Sequence, residues 1–306
     1  MNKKAKSKTL IGCLCALGCE VLFGLSYVFT KQATESTGAF ELLGWRFFTA
    51  FLVMTLLVIT GIVKINLKGK KIKPLLLVAL FSPVIYFIGE TVGIANTSAS
   101  ESGVFLACIP VVSLVASSLI LKKKPTKWQS AGIVITLIGV LVTIFAAGAY
   151  ASLSVTGYIF LTAAVISYAL YSVFVEKASG FTEAEITYVQ LCAGALIFVV
   201  TALVRGFANG TITELIALPF DNIHFLIAVL YQGIGCSILA FFMSNAAIAR
   251  IGVNRTSSFI GASTVVSILA GMLILSEPFS WLQTVGAIII IAGIYTANSE
   301  KKEKES

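Results

Sequence analysis

Charge is what this 306-residue chain has least of. Asp, Glu, Lys and Arg make up 12% of it against 58% hydrophobic residues, and the mean hydropathy is +0.96. That balance excludes a soluble domain, which needs far more charge to cover its surface. Histidine occurs once, as His224, near the end of an apolar run. Without partner histidines or clustered acids, a membrane-embedded enzyme lacks its usual nucleophile, base or metal ligands. The six cysteines (Cys13, Cys15, Cys19, Cys108, Cys192 and Cys236) show no CxxC spacing and fall inside apolar runs, so they read as small buried groups rather than a disulfide framework or zinc site. No Walker motif appears, which argues against ATP-driven pumping by this chain alone. Neither a metal nor a cofactor is expected. The longest polar interruption, about 205–222, is too short to hold the soluble output domain of a sensor.

What the chain does have is apolar sequence in blocks. A helix needs roughly 20 mostly apolar residues to cross a bilayer core of about 30 Å. Ten such blocks are predicted, at about 9–30, 41–63, 74–95, 99–121, 128–147, 155–177, 184–204, 223–249, 256–276 and 281–298. The opening MNKKAKSK resembles the start of a signal peptide, but the apolar run continues to Thr30 without a cleavage site, so it is read as an uncleaved first span. The weakest boundaries are GIANTSASESG and AIARIGVNRTS. The expected fold is therefore an all-α integral membrane bundle of ten transmembrane helices.

Basic residues orient it. The net charge of +8 is not spread as a nucleic-acid footprint, because 19 of the 22 Lys and Arg fall in segments that share one side if both termini are cytoplasmic. Only Lys31 and Arg205 fall on the other side, and Arg46 lies within a span. This bias predicts a multi-pass membrane protein with both ends in the cytoplasm. It is much stronger in the first half of the chain than in the second.

Sliding the chain against itself by 154 positions aligns spans four and five with spans nine and ten without a gap. VVSLVASSLIL (111–121) lands on VVSILAGMLIL (265–275), Ser113 on Ser267, Gln129 on Gln283, Gly132 on Gly286 and Gly139 on Gly293. The front of each half echoes more loosely, SYVFTKQA (26–33) against YSVFVEKA (171–178). Five spans is an odd number, so the second copy must enter the membrane from the other side. The reading is two inverted five-helix repeats, 1–150 and 151–306, the latter with a short charged tail, a duplication typical of alternating-access carriers. The recurring glycines allow close helix contact within the bundle or, alternatively, a homodimer seam. Pro110 is expected to kink the fourth helix; its counterpart is Thr264, so the two halves should not bend alike.

At this point several segments resemble the EamA family of the drug/metabolite transporter superfamily: FGLSYVFTK in span one, GWRF (44–47), GIANTSASESGVFLACIPVVSLVASSLILKKKP (93–125) and RIGVNRTSSFIGASTVVSILAGMLILSEPFSWLQTVGAIIIIAG (250–293). The most specific piece is Glu277-Pro278 followed by a Gly-rich last span. The first half departs from this pattern, with Lys123-Lys124-Pro125 where a Glu-Lys-Pro type of ending is expected. The resemblance implies a ten-helix inner-membrane carrier exporting metabolites, often amino acids. Multidrug or lipophilic-cation export is the alternative within the superfamily.

Ionisable groups inside a span cost roughly 2.5–3.5 kcal/mol on insertion scales and by default mark a pathway. Glu20 lies about halfway along span one, with Gly24 and Tyr27 on the same face. Buried there, it can trade protons with the path or hydrogen-bond to a neighbouring helix. The small four-helix multidrug exporters of the same superfamily are similar here, with a functional Glu midway along their first span. Arg46 and Glu90 lie at similar depth in spans two and three, which predicts an ion pair acting as a structural link, an outer gate or a carboxylate anchor. Tyr86 shares the face of Glu90, and Tyr168, Tyr171, Gln190, Gln232 and Asn245 complete a candidate polar and aromatic lining for a small-molecule substrate and coupled protons. Trp45 and Tyr188 read as interface aromatics near span ends.

Overall fold

In a computed structural model the chain is all helical among the residues described, which are 3–34, 37–97, 105–146, 154–274, 276 and 280–299. The side chains of Tyr27 and Lys31 and the Glu277-Pro278 dipeptide lie outside that description. Eleven helices are formed: α1 Lys3–Thr34, α2 Ala39–Ile59, α3 Lys73–Ala95, α4 Phe105–Ile120, α5 Lys127–Ala146, α6 Val155–Lys177, α7 Glu183–Asn209, α8 Ile212–Asp221, α9 Ile223–Ser257, α10 Gly261–Ile274 and α11 Trp281–Asn298. Eight of them are long and apolar enough to cross a membrane. The shorter apolar helices α4 and α10 occupy the fourth and ninth expected spans, and α10 has 14 residues, about 21 Å of rise. Large apolar side chains such as Leu56, Leu119, Phe145, Ile159, Leu196 and Ile288 point outward, as lipid contact requires.

The sequence marks several helix ends. Thr182 and Glu185 cap the start of α7 reciprocally, Ser280 and Gln283 do the same for α11, and Ser154 accepts from the Gly157 amide at the start of α6. The stretch 205–222, expected as a loop, is mostly helical. α7 runs on to Asn209 and stops where Gly210 takes a left-handed φ of +71°, and α8 follows as a short amphipathic helix with Leu215 and Pro219 buried. Its ten residues alternate apolar and polar too briefly to read as a span. Near Pro110 the α-helical bonding lapses for one residue at Cys108, whereas α10 runs unbroken through Thr264.

Two long helices are irregular at their centres. In α3 the turn Leu80–Ile85 is widened, with Ser82 at φ −142° and ψ 121°, and in α9 the turn Tyr231–Ala240 is widened in the same way. Such turns need partners for their loosened carbonyls. α9 breaks again at Gly252, φ +78°, within the weak boundary read from the sequence.

Packing pairs α1 with α9 and α10, α3 with α6 and α7, α4 with α6, α2 with α7 and α9, and α5 with α11. Helices α5 and α11 cross antiparallel on their glycines. A Cβ on Gly139 would come within 2.8 Å of the Gly286 carbonyl, and one on Gly293 within 2.8 Å of the Gly132 carbonyl. The seam considered for a homodimer is thus filled within one chain. Helices α2 and α7 are antiparallel too, through Glu41 with Arg205 at one end, Phe47 on Phe198 in the middle, and Thr55 beside Tyr188 at the other end.

The segments rich in basic residues meet at one end of the bundle. Lys70 pairs with Glu185 at 2.7 Å, Arg250 with Glu183 at 2.6 Å, and Lys123 with Glu176, which also accepts from the Val253 amide next to the break in α9. At the opposite end Arg205 pairs with Glu41 at 3.4 Å, and Trp45 donates to the Leu215 carbonyl at 2.8 Å. The latter fits the reading of Trp45 as an interface aromatic.

Candidate transport site

Arg46 points from α2 into the bundle, 6% exposed. Its Nε donates to Ser237 Oγ at 2.7 Å and its Nη1 to Gln232 Oε1 at 3.2 Å, both on the widened turn of α9. Gln232 passes its own Nε2 proton to Thr30 Oγ1 at 3.0 Å, which ties α1 into the group. The guanidinium lies 4.7 Å from the centre of the Phe87 ring and 5.5 Å from that of Phe47. Nη2 is buried without a hydrogen-bond acceptor among the described residues.

The ion pair expected between Arg46 and Glu90 is not formed. Glu90 instead accepts from Tyr86 at 2.8 Å one turn away on α3. The reason is steric. α2 packs on α7 and α9 and α3 on α6 and α7, and Phe87 stands over the guanidinium where the carboxylate was expected. Helices α2 and α3 meet there through Phe47 and Phe87, and the two charged groups stay within electrostatic range without pairing. Tyr86 meets Tyr168 of α6 with ring centres 5.5 Å apart, and Tyr168 meets Tyr171 at the same spacing.

Glu20 of α1 is 6% exposed, with Ser263 of α10 alongside it. Gly24, one turn on, lets α1 approach α10 closely, because a Cβ there would lie 2.7 Å from the Ser263 carbonyl. Glu20 is near enough to Tyr86, Tyr168 and Tyr171 to interact with them electrostatically, so α1, α3 and α6 converge on one region. Tyr86, Glu90 and Tyr168 are half-buried.

The remaining candidates also come together, but as a closed network. Asn245 donates to Gln190 at 2.8 Å and to Thr187 at 3.0 Å, and accepts from Tyr171 at 2.9 Å; Tyr171 also reaches Ser244 at 3.2 Å. Gln190 donates to the Ser82 carbonyl at 2.9 Å, and Ser167 to the Phe81 carbonyl at 2.7 Å. These groups are buried and serve the broken turn of α3. Ser82, Thr187, Ser237, Ser244 and Ser263 were not singled out in the sequence, since hydroxyls are common in apolar helices. The only cue to Ser237 is its i+5 spacing from Gln232, which reaches one face on a widened turn and not on a regular helix.

An all-helical bundle with apolar helices of spanning length, lipid-facing apolar side chains and charged groups gathered inside is a multi-pass membrane transporter. Residues 10–145 and 155–299 each match the EamA-like transporter family, and the chain belongs to that family. It is 32% identical over 287 residues, 92% of each chain, to the "Uncharacterized transporter YcxC" of Bacillus subtilis (strain 168). It is 24% identical over 187 residues to a "Probable amino-acid metabolite efflux pump" of Salmonella typhimurium, covering 60% of this chain and 62% of that one. A "Probable terminal-alkyne amino-acid exporter" of Streptantibioticus cattleyicolor is 24% identical over 208 residues, covering 67% of this chain and 66% of that one. A protein of known crystal structure superposes with a TM-score of 0.75 at 18% identity, covering 95% of this chain and 98% of its own, a likeness of fold.

Proposed function

We infer that the protein is a secondary active transporter that exports a small metabolite, an amino acid in our reading, across the cell membrane by alternating access coupled to protons. It spans the membrane ten times as two inverted five-helix halves, 1–150 and 151–306, with both termini cytoplasmic. The packing supports this. With the helices of the two halves matched in order, α1 with α9 corresponds to α3 with α6, α1 with α10 to α4 with α6, and α2 with α9 to α3 with α7. The helices that pair with their own counterparts, α2 with α7 and α5 with α11, cross antiparallel, as a two-fold axis in the membrane plane requires. The widened turns correspond as well, because under the 154-residue shift 80–85 falls on 234–239.

The observation that carries transport is the gathering of Glu20, Arg46, Tyr86, Glu90 and Tyr168 at the meeting point of both halves, where ionisable groups are costly without a task. Glu20 is the proton carrier in this reading and Gln232 supports Arg46. Tyr171, Gln190 and Asn245 hold the broken helix beside the path, and Tyr27 remains a candidate from its place on the Glu20 face. Two of the relatives are named for amino acids, which accords with a substrate carrying both charges. Export of lipophilic cations suits the tyrosines and Glu20 but sets the cargo against a buried guanidinium.

Glu20→Gln keeps the shape and most hydrogen-bonding capacity, so the protein should fold. In vesicles loaded with labelled L-phenylalanine, L-leucine or L-alanine, the native protein should release solute faster under an imposed pH gradient, and the Gln variant should lose at least about 10-fold of that acceleration. A variant that responds fully to the gradient removes Glu20 from coupling.

A further inference from the structure

Among the described residues Arg46 is a buried cation whose hydrogen bonds are incomplete. Ser237 and Gln232, which take its Nε and Nη1 protons, are neutral, and Gln232 is further committed to Thr30. Glu90, the acid nearest on α3, is held by the Tyr86 hydroxyl. The flanking Phe87 and Phe47 rings offer polarisable faces and no proton acceptor. The result is a cation with 6% exposure, no carboxylate bound to it, and a fork nitrogen, Nη2, without an acceptor. Leaving such a group bare in low dielectric is expensive, and an oxyanion such as a carboxylate is a strong partner for a guanidinium nitrogen.

We propose that Arg46 Nη2 binds the carboxylate of the transported solute, so that the cargo is an α-amino acid recognised by its acid group, with Ser237 and Gln232 positioning the guanidinium for it. This rests on the amino-acid reading above and adds the group that selects it. Tyr86 is hydrogen-bonded to Glu90 and stands within electrostatic range of Glu20 and Arg46, so the region holds both acidic groups and a cation. A zwitterion matches that arrangement, and an amine lacking the acid does not. The rings of Phe47, Phe87, Phe198 and Phe241 form the apolar ground beside the cation and favour an apolar side chain.

The test is thermal denaturation of the full-length protein in detergent with L-phenylalanine, L-leucine and L-alanine, each beside its amide, and with tetraphenylphosphonium. At least one free acid should raise the midpoint, since a ligand of the folded state stabilises by mass action, and its amide should bind about 100-fold more weakly. Arg46→Gln should remove the response to the acid. Arg46→Lys, which keeps the charge and loses the fork, should bind the acid with intermediate strength, and it decides the matter if the Gln variant does not fold. An amide as effective as its acid, a Gln variant that still responds, or no response to any of the acids overturns the anchor. Stabilisation by tetraphenylphosphonium alone overturns it while leaving a transporter with a different cargo; gradient-driven amino-acid release with equal affinity for acid and amide leaves the amino-acid reading and removes only Arg46.

Discussion

Around Asn245 each buried side chain has found a neutral partner: Tyr171, Gln190, Thr187 and Ser244 close a ring of hydrogen bonds whose last link is the Ser82 carbonyl. Around Arg46 and Glu20 the groups are charged, and one nitrogen has no acceptor. The two clusters sit on neighbouring turns of the same helices, α3 and α9, and both depend on a widened turn. Their contents differ because their tasks differ. A neutral network in which each group is satisfied fixes a backbone irregularity with little penalty. A charged group kept short of partners is costly to hold, and that expense is tolerable where a passing solute or proton completes the set.

The contrast can be broken most sharply at Asn245. Replacing it by Leu leaves Tyr171, Gln190 and Thr187 without their partner in a dry interior, at about 1–3 kcal/mol for each group so stranded. Asn245→Leu should therefore be the most damaging of the substitutions considered in this section, lowering the thermal midpoint and folded yield in detergent by an amount matching about 3 kcal/mol or more. A midpoint within experimental error of the native protein would mean the network does not hold α3.

A smaller effect is expected from the two charges that sequence position suggested as partners. Since Arg46 and Glu90 engage different groups, exchanging them (Arg46→Glu with Glu90→Arg) should recover little of what the single reversals lose. The coupling in a double-mutant cycle should stay below about 1 kcal/mol. Stability of all four proteins measured by size-exclusion after heating decides this, and a large favourable coupling would restore the direct pair.

The least effect belongs to the surface. Lys123 pairs with Glu176, but its side chain is 63% exposed, and exposed pairs contribute roughly 0–1 kcal/mol. Lys123→Ala should shift the midpoint by no more than that. Glu176→Ala should cost more, because it also strips the Val253 amide at the break in α9 of its acceptor.

How much of this was legible in advance follows from what each feature writes into the sequence. A membrane span needs a long apolar run, so the eight helices of spanning length showed plainly. Glu20 stood out because an acid is so rare in such a run. Arg46 was visible for the same reason, but its partners were not. Spacing along a regular helix places Gln232 and Ser237 on different faces, and only the widened turn brings them together. Nor could two depths reveal that a phenylalanine stands where the counter-ion was expected. The break at Ser82 left Pro83 as its one trace, and α8 left almost none, because ten amphipathic residues between spans look like any polar connection.

The glycine crossing of α5 and α11 has one more consequence. In it a motif meets its own likeness turned over, Gly132 against Gly293 and Gly139 against Gly286, so the surface is self-complementary. On the proposed topology the two halves need not carry equal orienting charge, since the half richer in lysines fixes its own side and the crossing ties the other to it; 13 of the basic residues fall within the first 127 positions on the proposed inner side, and the later segments carry few.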